Sequence, residues 1–137
     1  MGGLLGVANV SKNGLMQKNV YASRFRSKEV GVGKVVSFIV PRYTRGVLNV
    51  TAVSTQNTIF FTDSAFLVDM NSGKPYAYNI ENYTVKYRME SQYTTIYMKF
   101  NSGSAVNIYL QHSDILPDQF IMDIEILDNF PSDVVSL

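Results

Sequence analysis

Between Tyr83 and Phe100 the chain alternates apolar and polar residues in two runs separated by Ser91 and Gln92. Tyr83, Val85, Tyr87 and Met89 fall on one side of the first run, and Thr84, Lys86, Arg88 and Glu90 on the other. In the second run Ile96, Met98 and Phe100 oppose Thr95, Tyr97 and Lys99. Side chains of a β-strand have period two, so each run writes a strand with one buried and one wet face. Two such strands across a short polar break make an antiparallel hairpin. A chain organised around this hairpin is committed to β structure.

The rest of the sequence after Lys34 repeats the theme. Val35 to Val40 ends at Pro41, which cannot donate to a ladder and so ends a strand or marks an edge. Gly46 to Ser54 places Leu48, Val50 and Ala52 on one face. Thr58 to Met70 is long, with Asp63-Ser64 in its middle suggesting a bulge or two strands. Asn71-Ser72-Gly73-Lys74-Pro75 has the residues of a turn before a short strand over Tyr76 to Ile80. Ala105 to Gln111 sets Val106, Ile108 and Leu110 against Asn107, Tyr109 and Gln111. In Phe120 to Leu127, Met122, Ile124 and Ile126 oppose Ile121, Asp123 and Glu125.

This density of short strands predicts an all-β, antiparallel β-sandwich of jelly-roll or immunoglobulin-like type, or a squat barrel, over residues 34–130. The expected core face comprises Val85, Tyr87, Met89, Ile96, Met98, Phe100, Val106, Ile108, Leu110, Met122, Ile124 and Ile126. Residues 1–33 differ. They hold six of the nine glycines and sustain no alternation, and Ser11 is placed to open a short helix running to about Ser27. The expectation is an N-terminal non-β or helical neck over 1–33 and a loose or late-docking tail over 131–137.

Composition narrows function. A 137-residue chain with 46% hydrophobic and 17% charged residues is globular, and it has no apolar run long enough to span a bilayer as a helix, so no membrane insertion is expected. The start Met-Gly-Gly-Leu-Leu-Gly-Val-Ala lacks the basic opening and long apolar centre of a signal peptide, which with the absence of cysteine fits synthesis in a reducing cytoplasm. Residues 1–45 carry eight lysines and arginines against Glu29, whereas residues 46–137 carry four against ten acids. The basic residues are scattered with no interleaved aromatic platform, so complementary contact between segments or subunits is expected rather than nucleic-acid binding.

Catalytic groups are sparse. His112 is the single histidine, at a strand end where a surface position is expected. No nucleophile elbow or phosphate-cradling glycine loop occurs. Asp114, Asp118, Asp123 and Glu125 match no calcium-loop spacing and read as a solvated acidic face. No enzyme, metal or cofactor is expected. The tyrosines are more informative: Tyr97 and Tyr109 fall on the polar faces of their strands, with Asn107 and Gln111 beside Tyr109. Exposed tyrosine with amides suits a sugar or protein contact surface, because the ring adds amphipathic area at small entropic loss. Tyr97, Tyr109, Asn107 and Gln111 are therefore the predicted ligand-binding residues.

The segment Ala8-Asn9-Val10-Ser11-Lys12-Asn13-Gly14-Leu15-Met16-Gln17 resembles one common in bacteriophage and prophage tail-fibre proteins, where an Asn/Asp-Gly-Leu-Met stretch precedes a charged helix just ahead of the fibre tip. The likeness covers about a tenth of the chain, and Gln17-Lys18-Asn19-Val20 departs from the usual continuation. The resemblance implies a virion location, a homotrimer with the N-terminal segment near its axis, and a non-enzymatic tip that binds a bacterial cell-surface glycan or protein. The alternative is a structural or assembly domain of a virion or baseplate whose exposed tyrosines meet only other subunits.

Overall fold

The computed structural model describes residues 25–42, 47–54, 61–69, 71–101, 103–113 and 123–137. Ten strands are found among them: β1 Phe25–Val30, β2 Val35–Pro41, β3 Leu48–Ser54, β4 Phe61–Val68, β5 Pro75–Tyr78, β6 Tyr83–Met89, β7 Tyr93–Phe100, β8 Val106–His112, β9 Glu125–Leu127 and β10 Val135–Ser136. They form two five-stranded sheets, β1-β8-β3-β4-β5 and β10-β6-β7-β2-β9, with every pairing antiparallel. Both sheets keep open edges, so the fold is a β-sandwich and not the squat barrel that was the alternative.

The predicted hairpin is β6–β7, with Tyr83 opposite Phe100 and Met89 opposite Thr94. Connections cross between sheets after β1, β2, β5, β7 and β8. The β1–β2 ribbon pairs with the β7–β8 ribbon in both sheets, β1 with β8 and β2 with β7, as in rolled jelly-roll architectures. The meander β3–β4–β5 within one sheet departs from that pattern, and the order matches neither sheet of an immunoglobulin domain.

Alternation sets the core. Val36, Phe38 and Val40 of β2, Ile96, Met98 and Phe100 of β7, and Val85 of β6 face Leu48, Val50 and Ala52 of β3, Phe66 and Val68 of β4, and Val106, Ile108 and Leu110 of β8. The Phe38 and Phe66 rings meet edge-on across the two sheets at 5.9 Å, and within the second sheet Tyr83 meets Phe100 edge-on at 4.8 Å.

Several expectations need correcting. The stretch expected as a neck contributes β1, an edge strand paired with β8 from Phe25 opposite Gln111 to Val30 opposite Val106, so residues 25–27 are strand and not the end of a helix. The rest of that helix, residues 11–24, lies outside the described residues. Asp63 and Ser64 interrupt nothing: β4 pairs β3 in unbroken register, with Thr51 opposite Asp63 and Val50 opposite Ser64. Ser64 is tolerated inside because its hydroxyl donates to the Asn79 carbonyl at 2.7 Å. Met89 is 49% exposed, because it ends β6 beyond Tyr87, the last residue that β10 flanks. Met122 lies outside the described residues. His112, expected at the surface, is 1% exposed, because it continues the inward run of Val106, Ile108 and Leu110.

The tail is docked. The chain leaves β9 on one edge of the second sheet and re-enters as β10 on the opposite edge, four strand spacings away. Residues 128–134 thus span about 19 Å at the usual strand spacing. They do so over the outside of the sheet: the Lys86 ammonium lies 4.6 Å from the Phe130 ring, and Arg88 donates to Asp133 at 3.2 Å. Lys34 pairs with Asp128 at the start of this strap, and the Leu137 amide donates to the Val85 carbonyl at its end.

Candidate functional site

The two outer faces differ because, among the described residues, only one is covered. On the second sheet the strap lies over β6, β7 and β2, so Val35, Ser37, Thr95 and Tyr97, which point away from the core, are nonetheless buried. Tyr97 is 3% exposed. Burial pushes its phenol up from the ordinary value, against the lowering effect of the Arg88 guanidinium 5.8 Å from its ring. Tyr97 was predicted to be an exposed contact residue; its place on the polar face is as expected, but the strap removes it from solvent.

Among the described residues nothing crosses the outer face of the first sheet, and the remaining three predicted residues are brought together there. Asn107, Tyr109 and Gln111 project from β8, with Asn107 half-buried and Tyr109 and Gln111 exposed. The register extends their rows across the sheet. Ser27, Tyr109, Thr51 and Asp63 stand in one row, and Gln111, Asn49, Ala65 and Tyr78 in the next. Tyr76 and Leu67 sit opposite each other further along, at the β5 edge. Tyr76, Tyr78 and Leu67 are all exposed.

The face therefore has aromatic walls and a polar floor. Tyr109 on β8 and Tyr78 on β5 are separated by β3 and β4, three strand spacings or about 14 Å. Between them the side chains are short: Thr51, Asn49, Ala65 and Asp63. Asp63 is tied in place at both ends, its carboxylate accepting from the Thr51 hydroxyl at 3.2 Å and its carbonyl accepting from the Asn79 side-chain amide at 2.9 Å. Asn79 holds a left-handed φ of 61°, a conformation its amide tolerates better than most side chains, and this turns the chain out of β5 just after Tyr78.

Sequence reasoning missed Tyr76, Tyr78, Asn49, Thr51 and Asp63 as members of this face. The signal for Asn49 and Thr51 was present in the alternation of β3, but which strand lies beside β8 is a tertiary fact. A second, smaller feature is an open depression at the β2–β9 edge, lined by Ser37, Phe38, Ile39, Asp123 and Glu125. Among the described residues no group of three or more histidines and acids is placed to hold a metal ion. No described helix is long and apolar enough to cross a membrane.

The fold and this face define an antiparallel β-sandwich with one open, tyrosine- and amide-bearing sheet. Comparison of the chain with protein-family models, with curated proteins and with solved structures finds no match.

Proposed function

We propose that this chain is a non-enzymatic receptor-binding domain of a phage-like tail fibre, and that the open outer face of β1-β8-β3-β4-β5 meets a bacterial surface glycan or protein. The observation that carries the reading is the asymmetry of the sandwich: Asn107, Tyr109 and Gln111 share a sheet that no described segment crosses, while the opposite sheet is covered by the chain's own strap. The resemblance of Ala8 to Gln17 to tail-fibre segments supplies the fibre context, and with it a homotrimer as the working assembly. Repetition on an oligomer would raise the avidity of a flat, shallow site that is weak singly. A glycan array and whole-cell binding with the assembled full chain test the proposal. Binding that falls on Tyr109→Ala or Gln111→Ala supports it; a correctly assembled oligomer that binds neither cells nor glycans sinks it.

The second reading, a structural or assembly domain, is favoured by the cluster of Leu67, Tyr76 and Tyr78 at the β5 edge, whose exposed apolar area suits a subunit contact. Light scattering on the full chain and on Tyr76→Ser/Tyr78→Ser separates the two. A variant that falls apart while the parent is oligomeric assigns the β5 edge to assembly.

A further inference from the structure

The two sheets also differ in charge. The outer side of the strap-covered sheet carries Lys86, Arg88, Lys99 and Glu125; Arg88 pairs with Glu90 and with Asp133 of the strap, and Asp128 of the strap pairs with Lys34. Among the described residues, the five strands of the open sheet send only Asp63 and Glu29 outward as charged groups. Arg26 and Lys28 of β1 have inward parity, opposite Leu110 and Ile108, and the Lys28 ammonium reaches the Ile124 carbonyl at 3.4 Å. Lys74 stands at the rim, its ammonium 5.8 Å over the Tyr76 ring. Among the described residues the open face is thus a net-anionic aromatic trough, and a polyanionic chain laid along it would meet like charge.

Asp63 is the centre of that trough. It is exposed, is held by Thr51 and Asn79, and forms no ion pair with any described residue. Tyr78 is its diagonal neighbour on β5, since Asp63 and Ala65 are adjacent on one face of β4 and Ala65 stands opposite Tyr78. Diagonal partners of this kind lie about 7–8 Å apart, within the span of a single sugar ring and its substituent. Tyr109 lies on the other side of Thr51 in the Asp63 row. A carboxylate between two exposed rings, with amide and hydroxyl groups on the floor, complements an extended glycan that carries a positive charge on one ring.

Resting on the reading of this face as a glycan-binding surface, we infer that its ligand is an oligosaccharide containing a hexosamine with a free amino group. The ammonium pairs with the Asp63 carboxylate, its own ring stacks on Tyr78, and the next part of the chain lies on Tyr109 beside Gln111 and Asn49. An N-acetyl group would replace the charge by a neutral amide and forfeit the pairing. A charge-assisted hydrogen bond of this kind corresponds to about tenfold in affinity.

The test uses the full chain with three probes: a chitosan oligosaccharide with free amines, the fully N-acetylated chitin oligosaccharide of the same length, and polygalacturonate as a polyanion. The expected result is binding of the chitosan oligosaccharide about tenfold tighter than its acetylated counterpart, lost on Asp63→Asn and weakened by salt, with no binding of polygalacturonate. Asp63 is exposed, so Asp63→Asn should leave the fold intact, which a thermal melt verifies. Equal binding of the two hexosamine probes, no binding of either, or an unchanged affinity in Asp63→Asn overturns the inference. If another glycan or a cell surface is then still bound through Tyr109, the glycan- or protein-binding reading survives without the amine. If nothing is bound through Tyr109, both fall.

Discussion

A Cβ placed on Gly73 would lie 2.9 Å from the Nε of Arg42. The guanidinium occupies the space that the missing side chain leaves, and from there it donates to the Glu90 carbonyl at 2.9 Å and to the Asn71 carbonyl. Arg42 thus ties the β4–β5 turn of one sheet to the β6–β7 turn of the other. Thr94 adds a hydroxyl bond to the Gly73 carbonyl at 2.6 Å.

Gly73→Ala should destabilise the domain by more than about 1 kcal/mol, because its φ of 78° disfavours any L side chain and the methyl meets Arg42. Arg42→Ala, which strands those carbonyls, should lose about 1–2 kcal/mol. In the double variant the steric part disappears, so the two losses should sum to less than additivity requires. Urea unfolding of the four proteins measures the coupling, and strict additivity would show that the guanidinium does not constrain residue 73.

Neighbouring residues of β8 should behave oppositely. Ile108 is fully buried, and Ile108→Ala is expected to lose about 2–5 kcal/mol. Tyr109→Ala, on the open face, should change stability by about 0.5 kcal/mol or less while reducing binding. Denaturation and binding assays on the same pair separate the two effects, and a reversed order would mean that the faces of the strand are misassigned.

Tyr97 should report on the strap and not on a ligand. Tyr97→Ala is expected to lose about 3 kcal/mol, as large aromatic deletions from packed sites do. Phe130→Ala should loosen the strap, raising hydrogen exchange at Leu137, whose amide is bound to Val85, without altering binding at the open face. Unchanged exchange there would show that Phe130 does not hold the strap.

Alkali should unfold the domain through its buried phenols. Burial holds the Tyr83 and Tyr97 phenols above their ordinary value near 10. A folded-state value raised above the unfolded one contributes stability that is complete below pH 10. That contribution is lost as pH rises, because the unfolded chain ionises first and releases the proton that the folded state retains. Melting temperature should therefore fall from about pH 10 upward, less steeply in Tyr97→Phe. An identical pH dependence in that variant would remove Tyr97 from the account.

What the sequence made legible was the alternation, and alternation assigns faces. It identified the β6–β7 hairpin, the inward set of β7 and β8, and the polar face on which Asn107, Tyr109 and Gln111 stand. It could not say what covers a face. Tyr97 and Tyr109 occupy equivalent positions on polar strand faces, yet one is sealed by residues 128–134 and the other is open, a difference set by where a distant segment crosses. His112 was legible in principle, since it extends the even-numbered run of β8, but a titratable residue at a strand end invites a surface assignment. β1 was hidden because Arg26 and Lys28 occupy the inward positions and erase the pattern.

Those inward charges bear on how the chain is made. Among the described residues β1 pairs only with β8, whose residues are synthesised seventy-six to eighty-six positions later, from Val30 with Val106 to Phe25 with Gln111. At ordinary translation rates of about 5–20 residues per second, β1 waits roughly 4–17 s for its partner. An apolar strand idling that long with unpaired amides would invite a β1 from a neighbouring nascent chain. A symmetric antiparallel β1–β1 pair sets Arg26 against Lys28 in one register and Lys28 against itself in the next, and both repel. The residues that blur the strand in the sequence keep it single on the ribosome until β8 arrives.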